Sequence, residues 1–188
     1  MNLFENQVIE NVNYKENPFI KAEYDNCIFN NCDFSNADIS TSLFIESYFN
    51  NCNFNTTNIH NVVFRSVKFK GCKLMGIAFQ TANEIGLDFS FDHCILDHSS
   101  FFNCKVRSTI FSYSSIKHVD FSGADLTGAV FHQCDLEETT FEQTNLEKVD
   151  FTTAFNYNFN LDQNKVKNSK HSAHQIGRLL EKYKLIIE

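Results

Sequence analysis

The sequence predicts an all-β coil with four sides, followed by one short C-terminal helix. Three observations carry this prediction. An apolar residue recurs at every fifth position for almost the whole chain. A small residue recurs two positions before it. In the second half, the apolar positions alternate strictly between phenylalanine and aliphatic side chains.

The first run is Tyr14, Phe19, Tyr24, Phe29, Phe34, Ile39, Phe44, Phe49, Phe54, Ile59, Phe64, Phe69, Leu74 and Phe79. The second is Leu96, Phe101, Val106, Phe111, Ile116, Phe121, Leu126, Phe131, Leu136, Phe141, Leu146 and Phe151. A step of five turns roughly 500° on an α-helix, so successive apolar residues would never share a face. On one continuous strand an odd step flips the side chain to the opposite face each time. One side stays inward only if every pentad contains a corner that resets the parity. The chain is therefore a coil of very short strands joined by turns.

Two residues before each apolar centre the side chain is small: Ala22, Cys27, Cys32, Ala37, Ser42 and Ser47 begin a series in which Ile77 alone is large. Each pentad thus points one small and one large residue inward, with an outward residue between them. All seven cysteines (Cys27, Cys32, Cys52, Cys72, Cys94, Cys104, Cys134) occupy the small position. They read as small apolar filler, and free buried thiols point to a reducing, cytoplasmic compartment. With one proline and six glycines, the corners must rely on Asn, Ser, Asp and Thr. The alternation of centres decides the number of sides. A fifteen-residue coil would stack each Phe on an aliphatic residue, whereas a twenty-residue coil stacks Phe111, Phe131 and Phe151 on one another.

Stretches such as Ala124-Asp125-Leu126-Thr127-Gly128 and Ala129-Val130-Phe131-His132-Gln133 resemble the pentapeptide-repeat family, whose pattern is roughly A-[DN]-[LF]-x-x. The resemblance implies a right-handed quadrilateral parallel β-helix over residues 21–156, here followed by a short C-terminal α-helix. At 188 residues the chain reads as a single domain. Residues 1–20 keep the pattern only in part, as a cap or an imperfect first coil. Between Phe79 and Leu96 the register slips by two residues, because the strict beat would bury Glu84. A small bulge or loop is expected at 80–90, with either Phe89 or Phe91 resuming the ladder. Residues 157–171 read as a polar linker. Ser172-Ala173-His174-Gln175 fits a capping box that opens a helix over 172–184. Leu185, Ile186 and Ile187 follow it.

Nothing in the sequence points to catalysis. There is no phosphate-binding glycine loop, CxxC pair, HExxH or nucleophile elbow, and a filled rod offers no desolvated pocket. No catalytic residue, cofactor or metal site is expected. The nearest metal-like cluster, His93-Cys94-His98, divides between an inward thiol and two corner positions. No apolar run is long enough to span a membrane, and the start lacks the basic-then-apolar pattern of a signal peptide.

Charge is the remaining signal. The net charge is −7. Asp120, Asp125, Asp135, Glu137, Glu138, Glu142, Glu147 and Asp150 face only Lys148 within residues 120–150, and form a candidate partner-binding acidic belt around the last coils. Arg65, Lys68, Lys70 and Lys73 form a smaller basic belt. Two readings of the acidic belt stand: a solvated surface, or a field like that of duplex DNA that attracts clefts built to hold DNA. Like charge argues against direct nucleic-acid binding.

The segment 150–187, with repeats ending before a helix that carries Leu-Leu, resembles the quinolone-resistance branch of the family. That resemblance implies a homodimer through the C-terminal helix, at Ile176, Leu179, Leu180 and Tyr183. It also implies a DNA-mimicking rod that engages type II topoisomerases, DNA gyrase above all and topoisomerase IV beside it, and blunts quinolone poisoning. At about seven coils spaced by about 4.8 Å, each rod body would be roughly 34 Å long. The alternative is a structural adaptor that binds an unrelated protein through a flat side or the 80–90 loop.

Overall fold

A corner at every fifth residue sets the architecture. In the computed structural model, which describes residues 2–185, the residue two positions after most apolar centres adopts a left-handed backbone. Asn26, Asn31, Asn36, Thr41, Glu46 and Asn51 lie at φ 45–62°; the same spacing holds to Gly76, breaks at the register slip, and resumes from His93 to Lys148. Asparagine tolerates this region, because its short polar side chain bonds locally. Glu46, Tyr113 and Lys148 are held there as well. The ladder on both sides therefore enforces the corner, and local preference does not explain it.

The chain winds into a parallel β-solenoid of about eight turns. Its strands are β1 (Asn2–Glu5), β2 (Val8–Glu10), β3 (Ala22–Asp25), β4 (Ile28–Asn30), β5 (Leu43–Ile45), β6 (Tyr48–Asn50), β7 (Val63–Lys70), β8 (Leu87–Asp92), β9 (Ile110–Ser112), β10 (Val130–His132), β11 (Asp150–Phe151) and β12 (Lys170–His171). One sheet path runs β1-β3-β5-β7-β8-β9-β10-β11-β12, and β2-β4-β6 joins it at β7. β7 turns a corner and so belongs to both sides. Every pairing is parallel, and the register is twenty residues, as where Phe44 faces Phe64 and Phe111 faces Phe131, except at β7–β8, where the slip makes it twenty-two over most of the pair.

That register stacks like on like. Phe91, Phe111, Phe131 and Phe151 form a column with centroids 5.3, 4.8 and 5.2 Å apart and planes within 11°. Phe79, Phe101, Phe121 and Phe141 form a second column on the opposite side, at 4.2, 4.9 and 5.4 Å. The two columns meet edge to face, as Phe111 and Phe121 do at 6.1 Å and 81°. Such pairs contribute roughly 0.5–1.5 kcal/mol each beyond area burial.

The small inward position does more than fill space. The carbonyl of an apolar centre points along the coil axis, and a polar side chain from the next coil reaches it. Cys52 Sγ donates to Phe29 O at 3.4 Å, Cys72 Sγ to Phe49 O at 3.2 Å and Cys94 Sγ to Phe69 O at 3.4 Å. Thr57 and Thr144 hydroxyls do the same for Phe34 O and Phe121 O. Cysteine, serine and threonine are thus interchangeable as small donors, which refines the reading of Cys as apolar filler. All seven cysteines are free and buried. Burial pushes the Cys104 and Cys134 thiols up to about 12, which leaves them unreactive near neutral pH.

The break at 80–90 resolves into two single 3-10 turns, Phe79–Thr81 and Glu84–Gly86. Asn83 caps the second turn by accepting from Ile85 N at 3.1 Å, while its own N–H holds the ladder to Val62 O at 2.9 Å. Phe91 resumes the column between Phe69 and Phe111. Phe89 takes the small inward position over Val67 and is buried. Both residues share one parity, so both fit inside. Gly86 admits nothing larger, since a Cβ there would lie 2.5 Å from Val63 Cγ1.

Residues 2–20 wind a first coil, the second of the two readings of this segment, with β1 and β2 paired in register with β3 and β4. The C-terminal end differs from the sequence reading. Residues 157–171 are a last coil and not a linker. Tyr157 is fully buried, Val166 packs on the core, and β12 continues the ladder from β11. Polar residues hid this coil because it keeps only part of the beat. The helix α1 (Ala173–Leu180) then begins at Ser172, whose side chain accepts from Gln175 N at 3.2 Å, and a 3-10 turn (Glu181–Tyr183) extends it. Ile186 and Ile187 lie outside the described residues.

Phe121 has stacked neighbours above and below and no exposure. Phe121→Ala is expected to cost about 3–5 kcal/mol of unfolding free energy, as truncation of a well-packed ring does. Urea denaturation followed by circular dichroism measures it.

Candidate interaction surfaces

Each carboxylate of the acidic belt has to be placed on the coil before its charge is counted. Asp120, Asp125, Asp135 and Asp150 all sit immediately before a core centre, where the chain is about to turn. Each accepts a hydrogen bond from the backbone N–H two residues on: Ser122 N at 2.8 Å, Thr127 N at 3.1 Å, Glu137 N at 3.2 Å and Thr152 N at 3.0 Å. This is an Asx turn, in which the carboxylate replaces a backbone acceptor and fixes the corner. Half of the belt is therefore corner scaffolding.

The twenty-residue register also delivers cations that a sequence window does not contain. Arg107 Nη2 lies 2.6 Å from Asp125 Oδ2, and Lys117 Nζ lies 3.0 Å from Asp135 and 2.9 Å from Glu137. Lys170 Nζ lies 3.4 Å from Asp150. His118 Nδ1 lies 3.0 Å from Glu138, an ion pair only when the ring is protonated. Among the described residues, Asp120, Glu142 and Glu147 have neither a cation nor an imidazole within ion-pair distance. Asp120 and Glu142 lie on the side of the rod that carries Phe121 and Phe141, and Glu147 lies on the next side. The belt narrows to three carboxylates spread over two neighbouring sides of the rod.

Partial burial alone would raise the Asp125 carboxyl. Hydrogen bonds from Arg107 and Thr127 outweigh it and hold the group below its usual range. Asp135 is lowered against the same burial by Asn156 and Lys117, and Asp150 by Thr152 and Lys170.

The four helix residues divide. Leu179 is 1% exposed and belongs to the core of its own chain, where Ile176 packs beside it. Leu180 is half-buried. Tyr183 is 45% exposed, with its hydroxyl donating to Asp162 at 3.1 Å. Arg178 Nη1 donates to Asn156 Oδ1 at 3.0 Å, which clamps α1 across the last coil. The helix is a lid over the solenoid end, a place where an open strand edge otherwise invites association. Tyr183 and Leu185 are exposed, and Leu180 is partly so.

His93 and His98 occupy left-handed corners at φ 54° and 60°, while Cys94 is buried between them. Among the described residues no group of three His, Cys, Asp or Glu side chains can hold a metal ion. No helix among them is long and apolar enough to cross a membrane. Arg65 and Lys73 stand apart on the middle coil. Lys70 lies 3.8 Å from Asp92, and Lys68 sits over the Tyr48 ring at 5.3 Å.

One surface was not anticipated. Ile85, at the tip of the second 3-10 turn, is 91% exposed, and Phe102 on the next coil is 46% exposed. They adjoin a hollow of about 180 Å³ lined by Phe79, Ala82, Leu87 and Phe102 among others. The doubled Phe101-Phe102 was its sequence signal, since the second ring falls on an outward position.

The family profile described as the pentapeptide repeat region matches residues 3–83 and 87–151. Its gap falls on the 3-10 turn at Glu84–Gly86. The chain belongs to the pentapeptide-repeat family. Among solved structures it is similar to a trypsin-treated variant of QnrB1, a plasmid-mediated fluoroquinolone resistance protein, with a TM-score of 0.53 and 19% identity over 100% of both chains. A second is HetL of the cyanobacterium Nostoc sp. strain PCC 7120, a pentapeptide-repeat protein involved in heterocyst differentiation regulation, with a TM-score of 0.49, 13% identity, and coverage of 89% of this chain and 84% of that one. At 19% identity the likeness to the QnrB1 variant is one of fold. A sequence comparison with curated proteins returns no match.

The corner role separates two substitutions of Asp125. Asp125→Asn keeps the acceptor for Thr127 N and is expected to cost less than about 1 kcal/mol, the worth of an exposed ion pair. Asp125→Ala removes the acceptor and is expected to cost about 1–2 kcal/mol more. The lowered carboxyls of Asp125, Asp135 and Asp150 contribute stability that is complete above their unfolded value of about 4 and lost as pH falls below it. Urea midpoints at pH 6 and pH 3 for the three proteins test both statements.

Proposed function

We propose that this protein is a non-enzymatic binding module whose acidic rod occupies the DNA-binding cleft of a type II topoisomerase, DNA gyrase or topoisomerase IV, and blunts quinolone poisoning. The observation that carries the proposal is the patch of unpaired carboxylates, Asp120, Glu142 and Glu147, on an otherwise closed four-sided rod. Like a duplex, such a rod presents negative charge at fixed spacing on a stiff support. The resistance function named for QnrB1 gives the reading its direction. The protein's surface does the work, because the interior is filled from one end to the other.

A gyrase supercoiling assay with and without ciprofloxacin tests it. At micromolar protein the drug's inhibition should be relieved, or supercoiling itself inhibited. No effect under either condition overturns the proposal.

The homodimer belongs to the same proposal, in a narrower form than the sequence suggested. Leu179 serves the lid, so the contact would fall on Leu180, Tyr183 and Leu185, with Ile176 behind them. Light scattering at micromolar concentration should give twice the 21.7 kDa chain mass, and Leu180→Glu should return it to one. A monomeric wild-type mass removes the dimer.

The exposed Ile85 favours a second reading, an adaptor that inserts this side chain into an apolar pocket of an unrelated protein. An affinity pull-down in which Ile85→Ser loses a partner, and topoisomerase subunits are absent, would favour it over the first.

A further inference from the structure

The Phe91–Phe111–Phe131–Phe151 column does not end in phenylalanine. Its last rung is His171, which faces Phe151 in register, with centroids 5.4 Å apart and planes at 14°. The residue after it, Ser172, is the N-cap of α1. A titratable ring therefore occupies a core position directly at the root of the lid.

Both ring nitrogens are engaged. Nδ1 lies 3.1 Å from the Tyr157 hydroxyl and Nε2 lies 3.0 Å from Ser169 Oγ. Ser169 Oγ also donates to Val166 O at 2.8 Å, so it receives the Nε2–H as an acceptor. The neutral ring with its proton on Nε2 then accepts at Nδ1 from Tyr157, and every group is satisfied. A second proton on Nδ1 would confront the Tyr157 oxygen and force that hydroxyl to turn its hydrogen away. Tyr157 is fully buried, and His171 is its hydroxyl's hydrogen-bond partner among the described residues. Protonation would leave a buried donor unpaired.

The charges around the ring oppose each other. From β11, Asp150 favours the imidazolium, but it is paired with Lys170 of β12 at 3.4 Å. The segment below contributes Tyr157 and Phe159, neither of them charged. α1 carries Arg178, which adds positive charge on that side, and the exposed His174. Burial is the largest influence and lowers the His171 pKa from its ordinary value, with Asp150 acting against it.

We propose that His171 is an acid-sensitive latch, which holds α1 over the last coil while its ring is neutral and releases it when the ring gains a second proton. The sign follows from linkage. The folded lid binds a proton less readily than the open one, so closure is fully favoured above about pH 6.5 and weakens as pH falls below it. The device acts on the lid and does not depend on which partner the rod binds.

Hydrogen-exchange mass spectrometry on the full chain at pH 7.5 and pH 5.0, corrected for intrinsic exchange rates, reads the opening of residues 173–183. His171→Phe is the informative variant, because it restores the residue that the rest of the column uses and cannot titrate. In the wild type the open population should rise about threefold or more between the two pH values. In His171→Phe it should stay constant, while exchange in β9 and β10 is unchanged in both proteins. An NMR titration of the His171 ring provides a second readout and should give a midpoint below 6.5. Equal pH dependence in the two proteins, no pH dependence in the wild type, or a His171 midpoint at or above 6.5 would overturn the latch.

Discussion

The left-handed corner at every fifth residue is the constraint on which the rest of the molecule depends. It resets strand parity, so that an odd repeat can keep one face inward. Without it the Phe111 and Phe121 columns could not form, because alternate rings would point to solvent. Each corner costs conformational strain wherever a residue such as Glu46, Tyr113 or Lys148 must occupy it. The cost is offset by ladder bonds to the coils on both sides and by rings stacked above and below. Stability is accordingly a property of neighbouring coils together, and a single pentad has none of its own.

The same geometry decides what the surface can be. Because residues twenty apart touch, charge is organised by coil and not by sequence proximity. The eight carboxylates of residues 120–150 look like one strongly acidic block when read along the chain. On the coil they stand among Arg107, Lys117, Lys148 and Lys170, and four of them hold corners. What remains for a partner is a patch and not a belt. In the proposed recognition its asset would be rigidity, since Asp120 is fixed by its own Asx turn and Glu142 and Glu147 flank buried core residues.

The fold could be read almost entirely from the sequence, because the repeat writes one structural rule many times over. Features that occur only once were harder to read. Phe89 and Phe91 have the same parity and similar size, so only the partner strand β7 decides that Phe91 rejoins the column and Phe89 fills the small position. The last coil reads as a linker in the sequence because Tyr157, Val166 and His171 keep its core while polar residues occupy most of its length. The donor role of Cys52, Cys72 and Cys94 is invisible without the carbonyls of Phe29, Phe49 and Phe69 that they meet. The stripe on α1 was legible as a stripe, but periodicity does not say whether it meets its own chain or another. The packing of Leu179 supplies that answer for one residue of the four.

Charge-driven recognition through Asp120, Glu142 and Glu147 is tested most directly by measuring affinity for DNA gyrase by calorimetry at two salt concentrations. If the patch is the contact, the triple variant Asp120→Asn/Glu142→Gln/Glu147→Gln binds at least tenfold more weakly than the wild type. Asp125→Asn binds normally, and wild-type affinity falls steeply as salt rises. Equal binding by the triple variant and the wild type, or affinity indifferent to salt, would contradict the central claim that the unpaired carboxylates of this rod are its recognition surface.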